Sequence, residues 1–554
     1  MNRRALLSIF PAMALGTVRA QEETSTVINI IPAPQQVLPG EGTLKLDETT
    51  QIVASVGAEN AATWLRDGLA RFAKLEIGAG AGSVIHLTIK SFEATLPESL
   101  GVRADGDLIG RELHTIEVTA KGVTIEGVSA EAVFRGATSL IQMAALNGGN
   151  IPVGTIIDAP RFAWRGLSFD VVRCFHPAST VRDVIDLLAL YKMNVLHWHL
   201  TDTEGWRVEV PGWPKLTEVS GKTARNDREG GYYTAEEFSE LVQYAADRYI
   251  TVVPEFDSPG HTASVLAAYP ELAAAGILDT DPAMHYLHPN QPGVPDLLKD
   301  VYSSLAATTN GARIHIGGDE AIAMTHEDFQ SYIQMALPIA RGTGKGVVAW
   351  QEAARGGLSE GDVVQWWIPN AMVEKMRAIR DSGDYSQFGG LGGNIEVAKA
   401  FIELFSSADE DVPLALEQGA MVLLSPATDL YLDTKYPELS IDPLQGEQHE
   451  RLGMPQRVYE QGTVADSYDW DPVTIHENVP ADRIAGIEAA IWCEFIEDRS
   501  DLFFQLLPRL AGSAEKAWSQ NLTWADHKAR LMIQPTLWDA MELPYFKSSV
   551  VWDS

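Results

Sequence analysis

From Trp164 onward the chain alternates short apolar runs with long amphipathic stretches, and this rhythm limits the folds open to it. The runs are Gly166–Val172, Asn194–Leu200, Ile250–Glu255, Arg313–Gly317, Gly346–Trp350, Asp362–Trp367, Ala420–Ser425 and Ala485–Trp492. Short continuous apolar runs of this kind read as strands buried on both faces. Spacers such as Val181–Tyr191 and Ala235–Arg248 carry helical periodicity. Eight β/α units in succession predict a (β/α)8 TIM barrel over residues 161–520. A doubly wound sheet shares the rhythm and is the alternative architecture.

The region ahead of the barrel has a different texture. Residues 27–160 hold short alternating segments, Val84–Ile89, Thr115–Val118 and Val123–Ile125, with helix-like stretches at Ala61–Phe72 and Ala130–Leu146. That mixture predicts a small α+β domain, ended by the boundary Asp158-Ala159-Pro160-Arg161. Residues 521–554 are expected to form a C-terminal extension packing on the barrel. At the start, Arg3 and Arg4 precede an apolar run from Ala5 to Gly16, and Ala20 precedes polar Gln21. This is the layout of a signal peptide over residues 1–20, so the protein is expected to be secreted. No cysteine follows the run, which argues against a lipid anchor there. No segment approaches the roughly 18 apolar residues of a membrane span.

The formal charge of −33 makes nucleic acid and anionic membranes poor partners, whereas a neutral sugar is indifferent to it. The two cysteines, Cys174 and Cys493, are too few for a disulfide framework and match no zinc motif.

A barrel places its chemistry at the C-terminal ends of its strands. Those ends read Asp170/Arg173, His199/Asp202, Glu255/Asp257, Asp319/Glu320, Trp350/Glu352, Trp366/Trp367, Asp429/Tyr431/Asp433 and Trp492/Glu494. The fourth is the most pointed. In Ile314-His315-Ile316-Gly317-Gly318-Asp319-Glu320 an apolar strand meets two glycines and then two carboxylates. Adjacent carboxylates repel, which raises the pKa of one, and an acid beside an ionised carboxylate suits glycosidic cleavage. A solvated acidic turn would have the same sequence. Tryptophans at strand ends can stack on the apolar faces of sugars, while core packing is their commoner fate. His197 and His199 lie two apart on a strand, face one side, and with Asp202 could hold a divalent ion; hydrogen-bonded support for the site is the better reading.

Several stretches resemble the family 20 glycoside hydrolases, the β-N-acetylhexosaminidases. They are Trp164-Arg165-Gly166, His197–Arg207, Pro254–Thr262, His315–Ala321, Trp350-Gln351-Glu352, Tyr431-Leu432-Asp433, Trp492-Cys493-Glu494 and Pro508–Trp518. The resemblance runs from Ile28 to Trp518 and implies a small α+β domain before a (β/α)8 barrel. It implies an exo-acting enzyme that releases terminal β-linked GlcNAc or GalNAc by substrate-assisted, retaining catalysis. Its partners would be oligosaccharides or glycoconjugates containing N-acetylhexosamine, and it would need no metal or organic cofactor.

By the same resemblance Glu320 is the general acid and base, and Asp319 orients the substrate's 2-acetamido group. Arg165 and Glu494 would bind sugar hydroxyls. Tyr431 would contact the acetamido oxygen, with Asp433 as a further sugar contact. Trp350, Trp367 and Trp492 would wall the acetamido methyl and ring, and Asp202 and His261 would orient the catalytic pair. Two positions depart from the family's pattern. Cys174 follows Arg173 where His is common, and Cys493 stands where a small polar residue is common. The first and eighth strands are neighbours in a closed barrel, so a Cys174–Cys493 disulfide is one expectation and two buried thiols the other. The segment 368–419 is longer than the usual link. It contains Gly389-Gly390-Leu391-Gly392-Gly393 and the acidic run Asp409-Glu410-Asp411, and could shape outer subsites. Two other classes stay open: a catalytically silent sugar-binding protein on this scaffold, and a metal-dependent barrel hydrolase built on His197 and His199.

Overall fold

In the computed structural model, residues 28–553 are described, apart from 79, 81, 386–394 and 454–461. The signal segment 1–20 and the glycine run Gly389–Gly393 lie outside the described residues. A six-stranded sheet comes first: β1 Gln36–Lys45, β2 Gln51–Ala54, β3 Val84–Ile89, β4 His114–Thr119, β5 Gly122–Gly127 and β6 Asn150–Asp158, in the order β1-β6-β4-β5-β3-β2. The central strands β4 and β5 alternate in burial because one face is covered, with Ile116, Val118, Val123 and Ile125 turned inward. The cover is α1 (Glu59–Ala73) and α2 (Ala130–Leu146), and the Ser129 side chain caps α2 by accepting from the Ala132 N–H.

Eight parallel strands then close a barrel: β7 Trp164–Asp170, β8 Val195–His199, β9 Thr251–Glu255, β10 Arg313–His315, β11 Gly346–Trp350, β12 Val363–Trp366, β13 Met421–Leu424 and β14 Ile484–Ile491. The β14–β7 pairing, Gly486 opposite Trp164 through Ile491 opposite Phe169, shuts the ring. Each expected run holds one strand, and β7, β8 and β14 are buried along their whole length, so hydrophobic continuity replaces alternation there. The doubly wound alternative is thereby excluded.

The crossovers are less uniform than the strands. Helices Ala178–Leu190, Ala235–Ala246, Val294–Thr308 and His326–Arg341 follow β7 to β10. Between β11 and β12 the chain makes only a 3₁₀ turn, Gln351–Gly356. Among the described residues the link from β12 to β13 instead carries three α-helices, Asn370–Ser382, Ile395–Phe405 and Asp411–Glu417. The acidic run Asp409-Glu410-Asp411 is structural: Asp411 takes Arg355 in a two-pronged ion pair, and Asp409 takes Arg377. Past the barrel, helix Pro535–Ala540 packs on α1 and α2, and the Trp538 indole donates to the Tyr191 hydroxyl at 2.6 Å. The tail therefore touches both domains.

Candidate active site

The loop after β10 is built for close approach. Gly317 and Gly318 have φ of +75° and +106°, and a Cβ on Gly317 would run into the Asp257 carboxylate and sit 2.6 Å from the Ser258 nitrogen. Only glycine fits both the backbone and the space. The turn ends on Asp319, buried, and Glu320, whose side chain is 25% exposed and whose own φ is +44°. Asp319 Oδ1 has no hydrogen-bond partner. Burial pushes the Asp319 carboxyl up to about 6; Glu320 and Glu255 add to this and His261 opposes it. Asp257 is also held well above the usual carboxylate range, by burial and then by Asp319.

His261 joins the pair to the barrel. Its Nε2 lies 3.4 Å from Glu320 Oε2 and 3.7 Å from Asp319 Oδ2, and its Nδ1 lies 3.1 Å from Asp202 Oδ1. Burial works against charge on this ring, yet Asp202, Asp319 and Asp257 together raise it well above the usual imidazole value. Asp202 is itself held by His199 Nε2 at 2.8 Å and by Arg173 at 2.7 Å.

Beside the carboxylates stands a box of four rings. Trp350 lies 6.3 Å from Trp367 and 5.8 Å from Trp492; Tyr431 lies 6.1 Å from Trp367, parallel to it within 2°, and 5.8 Å from Trp492. Glu352 ties this box to the catalytic loop. Its Oε2 accepts from the Trp367 indole at 3.1 Å and its Oε1 from the Glu320 backbone N–H at 3.5 Å. Burial and then Asp319 push Glu352 well above the usual carboxylate range. Trp366, at the same strand end, turns into the core and donates to the Ile368 carbonyl.

On the far side Asp433 and Glu494 face each other electrostatically. Burial, then Glu494, push Asp433 up to about 8, and burial also raises Glu494. Both Asp433 carboxylate oxygens and Glu494 Oε2 lack protein partners. Arg173 completes this side. It pairs with Asp170, Asp202 and Glu204, and its guanidinium stands 5.4 Å from the Trp492 ring centre.

One expectation is corrected. Arg165 is not at the sugar's hydroxyls. It is the second residue of β7, at the opposite end of the barrel, where it is buried against both Glu112 oxygens and the Phe162 and Lys192 carbonyls. The arginine at the mouth is Arg173, eight residues later in the chain and just past the end of the strand. Of the two expectations for Cys174 and Cys493 the buried thiols hold: the pair is not bonded, and both are free and buried. Cys493 Sγ lies 3.8 Å from His176 Nε2, and burial pushes Cys174 up to about 11, so neither is a ready nucleophile. The strand-end pattern already contained Arg173, His199, Glu255, Asp257 and Glu352. What was missing was a way to rank them.

Three groups among the described residues have metal-binding spacing: His197–Glu255–His315, His199–Asp202–Asp257 and Asp257–His261–Asp319. His199 is hydrogen-bonded through both nitrogens, to Glu255 and Asp202, and His197 through Nδ1 to Glu488, with its Nε2 3.1 Å from Glu255 Oε2 but making no hydrogen bond. These are ion-paired imidazoles, a different use of the same spacing.

A closed barrel with a carboxylate pair, an aromatic box and unpartnered acids at its C-terminal mouth defines a glycoside hydrolase. The model for glycosyl hydrolase family 20, catalytic domain, matches residues 162–385 and 391–521, and that for domain 2 of the same family matches 27–159; the chain belongs to this family. It is similar to a β-N-acetylhexosaminidase of Cellulomonas fimi, 35% identical over 84% of this chain and 86% of that protein. Among solved structures it is similar to the Streptomyces plicatus N-acetyl-β-hexosaminidase in complex with Thio-NAglucal, with a TM-score of 0.77 and 32% identity over 95% of this chain and 97% of the other. A family 20 β-N-acetylhexosaminidase from Streptomyces coelicolor gives 0.78 and 30% over 95% and 99%.

Proposed function

We propose that this enzyme removes terminal, non-reducing β-linked GlcNAc or GalNAc by substrate-assisted, retaining hydrolysis. The observation that carries the reading is the asymmetry of the pair. Asp319 is buried with a free carboxylate oxygen beside the aromatic box, whereas Glu320 reaches solvent. In this reading the Glu320 carboxylic acid gives its proton to the glycosidic oxygen as the C1–O bond breaks. The acetamido carbonyl oxygen bonds to C1 and forms an oxazolinium ion. Asp319 accepts the acetamido N–H and offsets the charge developing on nitrogen. Glu320, now a carboxylate, takes a proton from water as that water attacks C1 and the oxazolinium ring opens. Configuration is retained, and the internal nucleophile acts with the advantage of proximity.

Trp350, Trp367, Trp492 and Tyr431 would enclose the acetamido methyl and the sugar ring. Asp433, protonated at neutral pH, would donate to a hydroxyl; Glu494 and Arg173 would hold others. The substrates would be oligosaccharides or glycoconjugates ending in N-acetylhexosamine. Secretion is proposed from segment 1–20 and is checked by N-terminal sequencing of protein recovered from culture supernatant.

The test is hydrolysis of a chromogenic N-acetyl-β-glucosaminide by wild type and Glu320→Gln. The expected loss in kcat is about 10²-fold or more, the scale of general acid–base catalysis. Wild-type turnover in the variant would remove Glu320 from its role, and an inert wild type would favour a sugar-binding protein. Activity is expected to persist in EDTA; its loss would favour the metal-dependent alternative.

A further inference from the structure

The motif His197-Trp198-His199 is only partly used by the reaction above. Asp202 and His199 begin a chain of contacts that continues down the barrel. His199 Nδ1 meets Glu255 Oε2, Glu255 Oε2 meets His197 Nε2 at 3.1 Å, and His197 Nδ1 meets Glu488 Oε1 at 2.8 Å. Glu488 Oε2 accepts from the Trp164 indole at 2.8 Å, at the first residue of β7. Carboxylates and imidazoles thus alternate from Glu320 through His261, Asp202, His199, Glu255 and His197 to Glu488. Every member below Glu320 and His261 is fully buried. Glu255 is the branch point, because its Oε1 also takes the Trp350 indole at 2.8 Å and lies 3.0 Å from His315 Nδ1. One residue therefore touches both the wall of the aromatic box and the line that ends on the acid.

We infer that Glu255 is a positioning residue for this reaction, acting through His199 and Asp202 to hold His261 against Glu320 and through Trp350 to hold the acetamido wall. The inference rests on the hydrolase reading above. A neutral imidazole donates to a buried carboxylate through one ring nitrogen and a charged one through both, so the proton on each ring constrains its neighbours in the column. The column is therefore one cooperative unit. The groups facing Glu255 are His197 and His199 from β8, His315 from β10, and Asp257 and Asp319 from the loops above. Burial opposes charge on His199 and His197, but the carboxylates win, leaving His197 at about 9, while burial lowers His315. Burial would raise Glu255, yet His199, His315 and His197 hold it well below the usual range.

The experiment compares wild type, Glu255→Gln and His197→Gln on the chromogenic N-acetyl-β-glucosaminide across pH 4–9, with thermal unfolding of each. Glu255→Gln keeps the shape and the acceptor for Trp350; His197→Gln cuts the column and leaves Glu255 in place. Both are expected to lose roughly tenfold in kcat, a fraction of the general acid–base contribution, with KM within about twofold and a limb of the pH profile displaced by about half a unit or more. Folded variants with the wild-type pH profile would overturn the inference and leave the hydrolase reading standing. Failure of both to fold would assign the column to stability alone and overturn it too. An inactive wild type would instead strike the reading beneath it.

Discussion

Asp319 and Glu320 are neighbours in the chain but not in environment, and in the proposed reaction that difference divides their work. Asp319 must be ionised to accept an N–H, and burial sets its carboxyl at about 6. The acid limb of kcat/KM should therefore fall near pH 6 and disappear in Asp319→Asn, whose kcat should drop by about 10². A limb below pH 4.5 in the wild type would contradict this assignment. The same shift has a stability consequence. A carboxyl raised in the folded state binds its proton more tightly there, so its contribution is full below the unfolded value of about 3.9 and is lost as pH rises through about 6. Asp319→Asn should melt above wild type at pH 8, and the gap should close toward pH 4; equal Tm values at pH 8 would count against it. At this scale the sequence was legible for the acids and aromatics, since Glu320, Asp319, Asp202, His261, Tyr431, Asp433, Glu494 and three tryptophans converge on the mouth. Arg165 misled because a family motif was followed where the barrel's own rule pointed elsewhere. Active groups belong at the C-terminal ends of strands, and Arg165 stands at the start of one.

Elements hold those residues in place mainly through backbone shape. The turn after β10 depends on Gly317, where any side chain meets the Asp257 loop. Gly317→Ala should cost about 1–3 kcal/mol in stability and lower kcat with little change in the barrel. Calorimetry and the chromogenic assay check both, and an unperturbed Tm would show that the loops can part. All eight strands were legible because each is a short apolar run between polar punctuation. The helices were less so. Between Trp350 and Val363 the chain is too short for a full helix, and only the 3₁₀ turn Gln351–Gly356 forms. That economy brings Glu352 back toward Trp367 and the Glu320 amide, a contact no periodicity could announce.

Across the whole molecule, the two domains are joined by a buried charge cluster. Glu112 of the sheet domain takes Arg165 from the base of the barrel, with Arg135 and Arg103 beside it, and Lys192 pairs with Asp158 at 2.9 Å. Burial would raise Glu112, but Arg165, Arg135 and Arg103 hold it well below the usual range. Its stabilisation is present above the unfolded value of about 4.3 and is lost as pH falls below that. Glu112→Gln leaves buried guanidiniums unbalanced and should cost about 3–5 kcal/mol, with kcat per folded molecule unchanged. Denaturant melts and active-site titration would separate the two effects, and a stable variant with low kcat would mean the cluster reaches the site. None of this is legible in the sequence, because Glu112 and Arg165 lie 53 residues apart and nothing local links them. In the proposed reaction the substrate supplies the nucleophile and Asp319 holds it. The most direct measurement compares wild-type kcat/KM for the chromogenic 2-acetamido glucoside and its 2-hydroxy counterpart, identical in leaving group. Removing the acetamido group should lower kcat/KM on the order of 10³-fold or more; comparable rates on the two substrates would rule out a nucleophile supplied by the substrate.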